Sequence, residues 1–378
     1  MKFSDIPSHD AVKQQLRNLV ADDRIPHALL IEGPSGIGKF AMARAFAQYI
    51  HCQHRTPDGE PCGVCPSCLQ HQSLSHIDTL FSFPVVKTER FKGDAPVSTD
   101  FYEQWKEYLS ENPFMNFAKW ADSFEKKNAQ PVIYASESDS LISRLSTTAH
   151  ASRYKIVLLW LAERMNPDCA NKLLKLIEEP HGDTLFIMTS DNPEMILPTI
   201  LSRCRRMDMH RLDDDTIARW LISSHGVNQT DATALAHIAD GSLTAALSQL
   251  TGSSEANSNL ELFIRLMRLA YQRKVAELRR WASDVNALGR EGELRFYDYC
   301  QRLLRENFIF NFRVPQIQYM TRTETDFSRN FARFINENNV EQLVEVFNKA
   351  AVDVAGNGNG KIVNFDLAIC VILLLKNS

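Results

Sequence analysis

The chain has 378 residues, a length at which two or three domains are expected. Hydrophobic residues make up 44% of it, charged residues make up 23%, and the formal net charge is −4. This composition is ordinary for a globular chain and gives no global bias toward nucleic acid or membranes. The N-terminus lacks the apolar segment of a signal peptide, and the apolar run Leu367–Leu375 is far too short to span a bilayer. We therefore expect a cytoplasmic protein without a membrane partner.

The first recognisable unit is a strand, a glycine-rich loop and a helix in direct succession. Residues 28–31 (ALLI) are an apolar run typical of a buried parallel strand, and residues 39–50 have helical periodicity. Between them lies GPSGIGKF (33–40), which contains the phosphate-loop pattern GxxxxGK. In a working loop, backbone N–H groups cradle the phosphates, the lysine reaches the terminal phosphates, and a following Ser or Thr binds Mg²⁺. The phosphate-binding positions are Gly33, Gly36, Gly38 and Lys39, but Phe40 replaces the hydroxyl residue. The pattern predicts a P-loop fold and leaves hydrolysis in doubt.

Four of the eight cysteines fall in one short window, at positions Cys52, Cys62, Cys65 and Cys68. Four thiolates at such spacing are typical of a tetrahedral zinc site with no open position for catalysis. The simpler alternative is a set of unrelated reduced cysteines. We predict a structural Zn²⁺ site, with nearby His51, His54 and His71 surplus to it. Direct contact of this module with nucleic acid is a lesser alternative.

An aromatic and charged stretch follows, from about residue 81 to residue 130, and it includes Trp105 and Trp120. Its periodicity assigns it to no particular element. Two interpretations stay open for this insertion: a packed accessory layer, or an exposed surface that binds a partner or single-stranded DNA by stacking.

Two further apolar runs, 156–161 and 185–188, flank a predicted helix over 169–179. Alternating strands and helices favour a parallel α/β sheet. P-loop ATPases end such a strand with acidic residues that hold Mg²⁺ and activate water. Here Trp160 and Leu161 stand in their place, and Glu163 comes three residues late. Together with Phe40, this second loss predicts an inactive site.

The remainder of the sequence is helical in pattern. Helices are predicted from Asp213 to Gly226, from Thr230 to Gly241 and from Ser242 to Leu250, and amphipathic patterns continue from Asn259. We predict three domains: an α/β domain over 1–210, a small helical lid over 211–252 and a helical domain over 253–378.

Several segments carry a family resemblance when taken together. They are PHALLIEGPSGIGK (26–39), NKLLKLIEEP (171–180) and ILPTILSRC (196–204), with the cysteine cluster between the first and second. In this combination the chain resembles the AAA+ subunits of the bacterial sliding-clamp loaders of DNA polymerase III. The resemblance is strong over roughly 20–80 and 150–250, weak over 81–130, and limited to helical character in the last third.

The resemblance implies a mechanism and a set of partners. Such loaders are rings of related subunits, with ATP bound between neighbours. It implies gamma/tau-like ATPase and delta-like partners, the sliding clamp, primed DNA reached through the complex, and a C-terminal helical collar. It also implies a zinc module within the core, which agrees with the cysteine spacing.

Within this resemblance, Ser202-Arg203-Cys204 matches the family's S-R-C motif, which makes Arg203 an arginine finger acting on a neighbour's ATP. The alternative is that Arg203 only belongs to a basic surface run with Arg205 and Arg206. Thr244 stands where active subunits carry an Arg that touches their own nucleotide.

The resemblance thus implies a subunit without independent ATPase activity, whose loop is vestigial. Whether that loop retains a nucleotide passively stays open. Two other functions stay open as well: an active AAA+ ATPase, and a zinc-dependent nucleic-acid-binding protein.

Overall fold

The computed structural model describes residues 1–88, 91, 95–124, 130–250, 254–314 and 317–376, with the backbone alone for 254–256 and 376. The chain divides into two compact units, 1–246 and 247–378. The first is a parallel α/β structure with additional helices, and the described part of the second is helical.

A five-stranded parallel sheet forms the centre of the first unit. Its strands are β1 (Ala28–Glu32), β2 (Thr79–Ser82), β3 (Lys155–Leu159), β4 (Thr184–Ser190) and β5 (Arg205–Asp208). The order across the sheet is β2-β3-β4-β1-β5, and every neighbouring pair is parallel. All residues of β1, β3 and β4 are buried, which is why they read as continuous apolar runs.

Helices cover the sheet and extend from it. The helices of the first unit are α1 (Asp10–Ala21), α2 (Lys39–His51), α3 (Pro66–Gln72), α4 (Tyr102–Glu111), α5 (Phe117–Asp122), α6 (Ala135–Leu145), α7 (Pro167–Glu178), α8 (Pro198–Leu201), α9 (Asp214–His225) and α10 (Gln229–Ala239). Helix α11 (Leu243–Leu250) crosses the boundary between the units. Alternate strand residues, such as Val157 and Phe186, pack with α6 and α7 in one core, and α2 contacts β1, β3 and β4.

The second unit contains α12 (Ser254–Tyr271), α13 (Val275–Asn286), α14 (Gly289–Phe310), α15 (Arg322–Phe331), α16 (Val340–Ala355) and α17 (Gly360–Lys376). Its core is built from large side chains that are fully buried, including Trp281, Phe296 and Phe347. Within the ranges described above, no helix combines the length and apolar character needed to cross a membrane.

The α/β core and strands β1 and β4 agree with the sequence predictions, and three details differ. Strand β3 ends at Leu159, because Leu161 has a left-handed backbone (φ 58°) that no strand accommodates. Helix α10 is capped by Asn228, whose side chain accepts from Asp231 N, and not by Thr230. Strands β2 and β5 were not predicted, since β2 is only four residues long and β5 exposes three of its four residues. The division into three domains stays a prediction.

Most of the 81–130 insertion is a packed layer on the first unit. Val85 pairs with Val132 in an antiparallel bridge, and α4 and α5 lie between them in the chain. Trp105 and Trp120 are fully buried. Residues 89–90, 92–94 and 125–129 of the insertion lie outside the described residues. For the rest, the accessory-layer interpretation agrees with the structure.

Candidate functional site: a filled phosphate loop and an arginine at the opposite end of the sheet

The glycine-rich loop joins the C-terminal end of β1 to the first turn of α2. Gly33, Gly36 and Gly38 have φ values of 144°, 78° and 94°, in the region that favours glycine. At Gly33 a Cβ atom would lie 2.1 Å from the Met209 carbonyl oxygen. The loop therefore has the predicted turn. It lies at the C-terminal ends of the strands, where ligands bind in parallel α/β folds.

Lys39 is bound by groups of its own chain. Its Nζ lies 2.7 Å from Asp191 Oδ1 and donates a hydrogen bond of 2.8 Å to the Gly33 carbonyl, with a further bond to the Pro34 carbonyl. The side chain is 5% exposed. In a working loop this ammonium group reaches the terminal phosphates. Here one carboxylate and two carbonyl oxygens take the positions that phosphate oxygens would need.

The first residues of α11 pack directly against the loop. Leu243 N and Thr244 N both donate to the Gly36 carbonyl, at 2.9 and 3.3 Å. A Cβ atom at Gly36 would lie 2.1 Å from Thr244 Oγ1 and 2.2 Å from Ser242 Oγ. The two hydroxyl side chains therefore lie directly on the backbone that would cradle a phosphate.

Phe40 belongs to an aromatic cluster. Its ring centroid lies 5.8 Å from that of Trp105, 6.3 Å from Trp160 and 6.4 Å from Phe81. Phe40 is 2% exposed and Trp160 is 4% exposed. The two positions that organise Mg²⁺ in active enzymes are thus both aromatic, and they share one packed apolar cluster. Such a cluster offers no oxygen ligand to a hard cation.

Trp105 is the member of this cluster that comes from the insertion. It stacks on Phe83 with a centroid distance of 3.9 Å and an interplanar angle of 7°, and it meets Trp120 edge-on at 5.2 Å. Trp120 in turn donates from Nε1 to the Pro84 carbonyl at 2.7 Å. Helix α4 therefore packs a large side chain against Phe40 at the start of α2.

Glu163 is the acidic residue nearest in sequence to the end of β3, where P-loop ATPases carry acidic residues, but its carboxylate is used within the chain. One of its carboxylate oxygens accepts a hydrogen bond of 2.9 Å from Asp191 N. Burial raises the pKa of this carboxyl, although hydrogen bonds from the backbone oppose the rise. Glu163 thus holds the backbone of the residue that pairs with Lys39.

Arg203 lies at the N-terminal end of β5, after the short helix α8. Its Nη1 donates to the Thr199 carbonyl at 2.8 Å and to Ser202 Oγ at 3.3 Å, and its other terminal nitrogen pairs with Glu178 at the end of α7. The side chain is 36% exposed. Arg206, by contrast, pairs at 2.6 Å with the buried Glu32.

The register of the sheet separates Arg203 from the phosphate loop. Strands β1 and β5 run parallel, and Glu32, which precedes the loop, is paired with Asp208. Arg203 precedes Asp208 by five residues, so at about 3.3 Å per residue it lies roughly 16 Å away along the strand direction. Arg203 therefore lies far from the phosphate loop of its own chain.

The four predicted cysteines come together beside α3. Their sulfur atoms all lie within 4.8 Å of one another, and three of the four residues are buried. Cys62 N donates to Cys52 Sγ at 3.2 Å, and Cys65 N donates to Cys62 Sγ at 3.3 Å. N–H groups from Val64 and Cys65 lower the pKa of Cys62 to about 6, whereas burial raises the pKa of Cys68 to about 12. Four free thiols held this way, with N–H donors on the sulfurs, fit a tetrahedral zinc ion.

A comparison with protein families supplies the decisive observation. Residues 8–213 match the family described as "DNA polymerase III, delta subunit". The chain belongs to this family.

Individual relatives within bacteria agree with that assignment. The subunit delta' of DNA polymerase III from Pseudomonas aeruginosa is 31% identical over 178 residues, which are 47% of this chain and 41% of the relative. The delta' subunit of Bacillus subtilis is 26% identical over 263 residues, 70% of this chain and 65% of the relative. The tau subunit of Bacillus subtilis is 25% identical over 256 residues, 66% of this chain and 37% of the relative. The chain thus spans about two fifths to two thirds of the length of these relatives.

Among solved structures, a gamma subunit-related protein of DNA polymerase III from Thermotoga maritima aligns with 12% identity and a TM-score of 0.43. The alignment covers 96% of this chain and 99% of that one. The clamp-loader delta protein of Bacillus subtilis aligns with 9% identity and a TM-score of 0.31, over 96% of this chain and 99% of that one. Both TM-scores are below 0.5, and the family assignment rests on sequence.

Sequence reasoning located the loop, the cysteines and Arg203 of this family member, but it missed the groups that fill the loop. Asp191, Ser242 and Trp105 reach the loop from three segments far apart in the chain. One signal was present: Phe40, Trp160 and the aromatic insertion are all apolar where a nucleotide site would be polar.

Proposed function

We propose that this chain is a subunit of a bacterial replicative clamp loader that does not hydrolyse ATP in its own phosphate loop. In this role Arg203 acts as an arginine finger at the ATP site of a neighbouring ATPase subunit. The assembled complex then places a sliding clamp on primed DNA. The observation that carries the proposal is the contrast between the filled loop and the accessible Arg203 at the opposite end of the sheet.

The contacts in the loop argue against turnover by the chain itself. Hydrolysis requires a metal ion bound to the β- and γ-phosphates and a positioned water molecule. Phe40 and Trp160 occupy the metal-organising positions, and Lys39 is engaged by Asp191. A bound nucleotide would have to displace Ser242 and Thr244 from Gly36 and separate Lys39 from its carboxylate. We therefore infer that the loop no longer serves nucleotide hydrolysis. Its remaining role is structural, because the Gly36 carbonyl accepts hydrogen bonds from the first residues of α11.

The position of Arg203 supports action on a neighbour. The side chain is 36% exposed, and the sheet register places it far from its own loop. A guanidinium group beside the transferred phosphoryl group neutralises the charge that develops in the transition state. Its present partners are a carbonyl, a hydroxyl and an exposed carboxylate, all of which a phosphate oxygen can replace.

We infer that Cys52, Cys62, Cys65 and Cys68 hold a structural Zn²⁺ ion. With four protein ligands the ion has no open position for substrate, so its chemistry here is to fix the fold of residues 52–68. This role makes the zinc module part of the frame that positions α2 and β2.

The partners follow from the family and from the chemistry of Arg203. A finger needs an ATP site in another chain, which in this family is a gamma/tau-like ATPase subunit, with a delta-like subunit completing the ring. The second unit, with its six helices over the described residues, is the proposed collar by which the chain joins that ring.

Reconstitution tests the proposal. A loader is assembled from the full chain, a gamma/tau-like ATPase and a delta-like subunit, and ATP hydrolysis is measured with clamp and primed DNA. We expect hydrolysis to require the chain and to fall sharply with Arg203→Ala, while assembly on a sizing column is unchanged. Arg205→Ala is the matched control, because Arg205 is an exposed arginine two residues away, and it should preserve hydrolysis.

Two outcomes would overturn the proposal in different ways. ATP turnover by the purified chain alone, abolished by Lys39→Ala, would make it an active AAA+ ATPase. Failure to join the loader, combined with tight DNA binding that Cys62→Ser abolishes, would make it a zinc-dependent nucleic-acid-binding protein.

A further inference from the structure

Three buried histidines meet beside the cysteine cluster without belonging to it. They are His51 at the end of α2, His71 on α3 and His76 in the turn before β2. One potential ligand nitrogen from each ring lies within 4.8 Å of one from each of the others. His51 Nδ1 is 2.9 Å from His71 Nε2, and the rings of His51 and His76 stack with centroids 4.3 Å apart. The proposed zinc site leaves all three unused.

The hydrogen bonds around His51 present a lone pair to this cluster. His51 Nε2 lies 2.9 Å from the Tyr154 carbonyl, which can only accept, so Nε2 carries the proton. In a neutral ring the other nitrogen, Nδ1, then has a lone pair, which lies 2.9 Å from His71 Nε2 and 3.4 Å from Thr79 Oγ1. A histidine whose outer N–H is held by a backbone carbonyl is the usual arrangement for a metal ligand.

The two ring nitrogens of His76 have few hydrogen-bond partners among the described residues. Its Nε2 is buried with no hydrogen-bond partner among the described residues. Its Nδ1 has only long contacts, 3.3 Å to Asp78 N and 3.5 Å to Thr79 Oγ1. A buried polar atom without a partner is costly, and a bound ion is one of the few ways to satisfy it.

All three rings are buried, and burial favours the neutral imidazole that metals require. Imidazole lone pairs are ligands for zinc, copper and nickel, whereas Mg²⁺ and Ca²⁺ prefer oxygen.

The charged groups that face the cluster are of both signs. The Asp78 carboxylate lies near His51 and His76, while Arg44 and the terminal amino group lie near His71. Asp78 is fixed by N–H groups of residues 150–152 at 2.7–3.0 Å and keeps its charge toward the cluster. An ion there would gain three nitrogen ligands and attraction to the Asp78 carboxylate, against repulsion from Arg44 and the terminal amino group.

A cavity of about 660 Å³ reaches the cluster from the protein surface. His76 and Thr79 form part of its wall, together with the exposed residues Ile77 and Arg144. It supplies an entry path and leaves room for water as a further ligand. An ion held by three histidines with an open position differs from a closed site of four cysteines.

We propose that His51, His71 and His76 form a second metal site, for a divalent first-row transition ion such as Zn²⁺, with its open position toward this cavity. The two sites have no ligand in common, but their ligands are close together in the chain. His51 directly precedes Cys52, and His71 follows Cys68 by three residues on α3. The proposal does not rest on the clamp-loading function, because its test counts metal ions on the isolated chain.

The test counts metal ions on the full chain. The protein is purified with its cysteine site filled, incubated with excess Zn²⁺, desalted and analysed by elemental mass spectrometry. We expect two ions per chain in the wild type, one in His76→Gln and one in His71→Gln. His54→Gln is the matched control, because His54 is exposed and outside the cluster, and it should keep two.

A second measurement separates metal loss from misfolding. Co²⁺ is added to protein whose cysteine site holds Zn²⁺, and the visible spectrum is recorded. We expect cobalt bands without thiolate charge-transfer absorption, present in the wild type and in His54→Gln and absent from both cluster variants. One ion per folded wild-type chain, or a second ion retained in both cluster variants, would overturn the proposal.

Discussion

The phosphate loop and the arginine at the start of β5 stand at opposite ends of the same sheet and have opposite surroundings. Lys39 is 5% exposed and pairs with Asp191, which is 22% exposed, whereas Arg203 is 36% exposed and pairs with Glu178, which is 41% exposed. The loop has been filled by groups from three distant segments of its own chain. Under the proposed function, the difference means that a shared fold can lose one half of a composite ATP site and keep the other.

Arg203→Ala is expected to have the largest effect on function. Arginine fingers contribute about 10³–10⁵ in rate, so hydrolysis at the adjoining site of a reconstituted loader should fall by at least about 10³. Lys39→Ala, at the other end of the sheet, should leave hydrolysis by the loader unchanged once assembly is matched. Single-turnover hydrolysis measures both. Equal losses of hydrolysis in the two variants would contradict the proposed difference between Arg203 and the phosphate loop.

Phe40→Thr restores the hydroxyl that active phosphate loops carry, and it should destabilise the protein. Truncating a buried Phe costs about 3–5 kcal/mol, and Phe40 contacts three aromatic rings. Urea unfolding followed by circular dichroism measures the loss. We expect no gain of ATPase activity, because Trp160 and Leu161 still replace the acidic strand end.

Phe46→Thr is the control for that change. Phe46 lies on the same helix and is fully buried, so its replacement should lower stability comparably without touching the loop. A gain of Mg²⁺-dependent ATP hydrolysis in Phe40→Thr alone would mean that a single residue keeps the site inactive.

The sequence predicted the parts of this site that depend on local patterns. Gly33, Gly36 and Gly38 identified a turn because their positive φ angles favour glycine, and the cysteine spacing identified a cluster. The residues that fill the loop could not be found this way. Asp191 lies 152 positions from Lys39, and Trp105 reaches Phe40 only through packing of an insertion whose own periodicity is weak. Strand β5 was missed for a related reason: at the edge of the sheet it needs no apolar run.

Asp191→Asn is expected to cost about 2 kcal/mol of stability, the range of a hydrogen bond to a charged group. The reason is that Lys39 would keep its two carbonyl partners and lose the carboxylate at 2.7 Å. Thermal unfolding measures the change, and Asp183→Asn, at an exposed carboxylate of the same unit, is the control. A stable variant that also binds nucleotide would show that the Asp191 carboxylate alone prevents nucleotide binding at the loop.

Glu178→Gln should have the smallest effect. Exposed ion pairs contribute less than about 1 kcal/mol, so stability should barely change. If Arg203 exchanges Glu178 for a phosphate oxygen, as proposed, hydrolysis by the reconstituted loader should stay equal to or exceed that of the wild type. A loss as large as that of Arg203→Ala would mean that Glu178 positions the finger and is not simply exchanged for the phosphate.

The most direct measurement is nucleotide binding by the purified full chain, in the presence of Mg²⁺. Isothermal titration with ATP and with ADP, followed by a sensitive assay for released phosphate, covers both binding and turnover. The account predicts no saturable binding at millimolar nucleotide and no turnover above a buffer blank, in the wild type and in Lys39→Ala alike. Saturable binding with phosphate release that Lys39→Ala abolishes would contradict it.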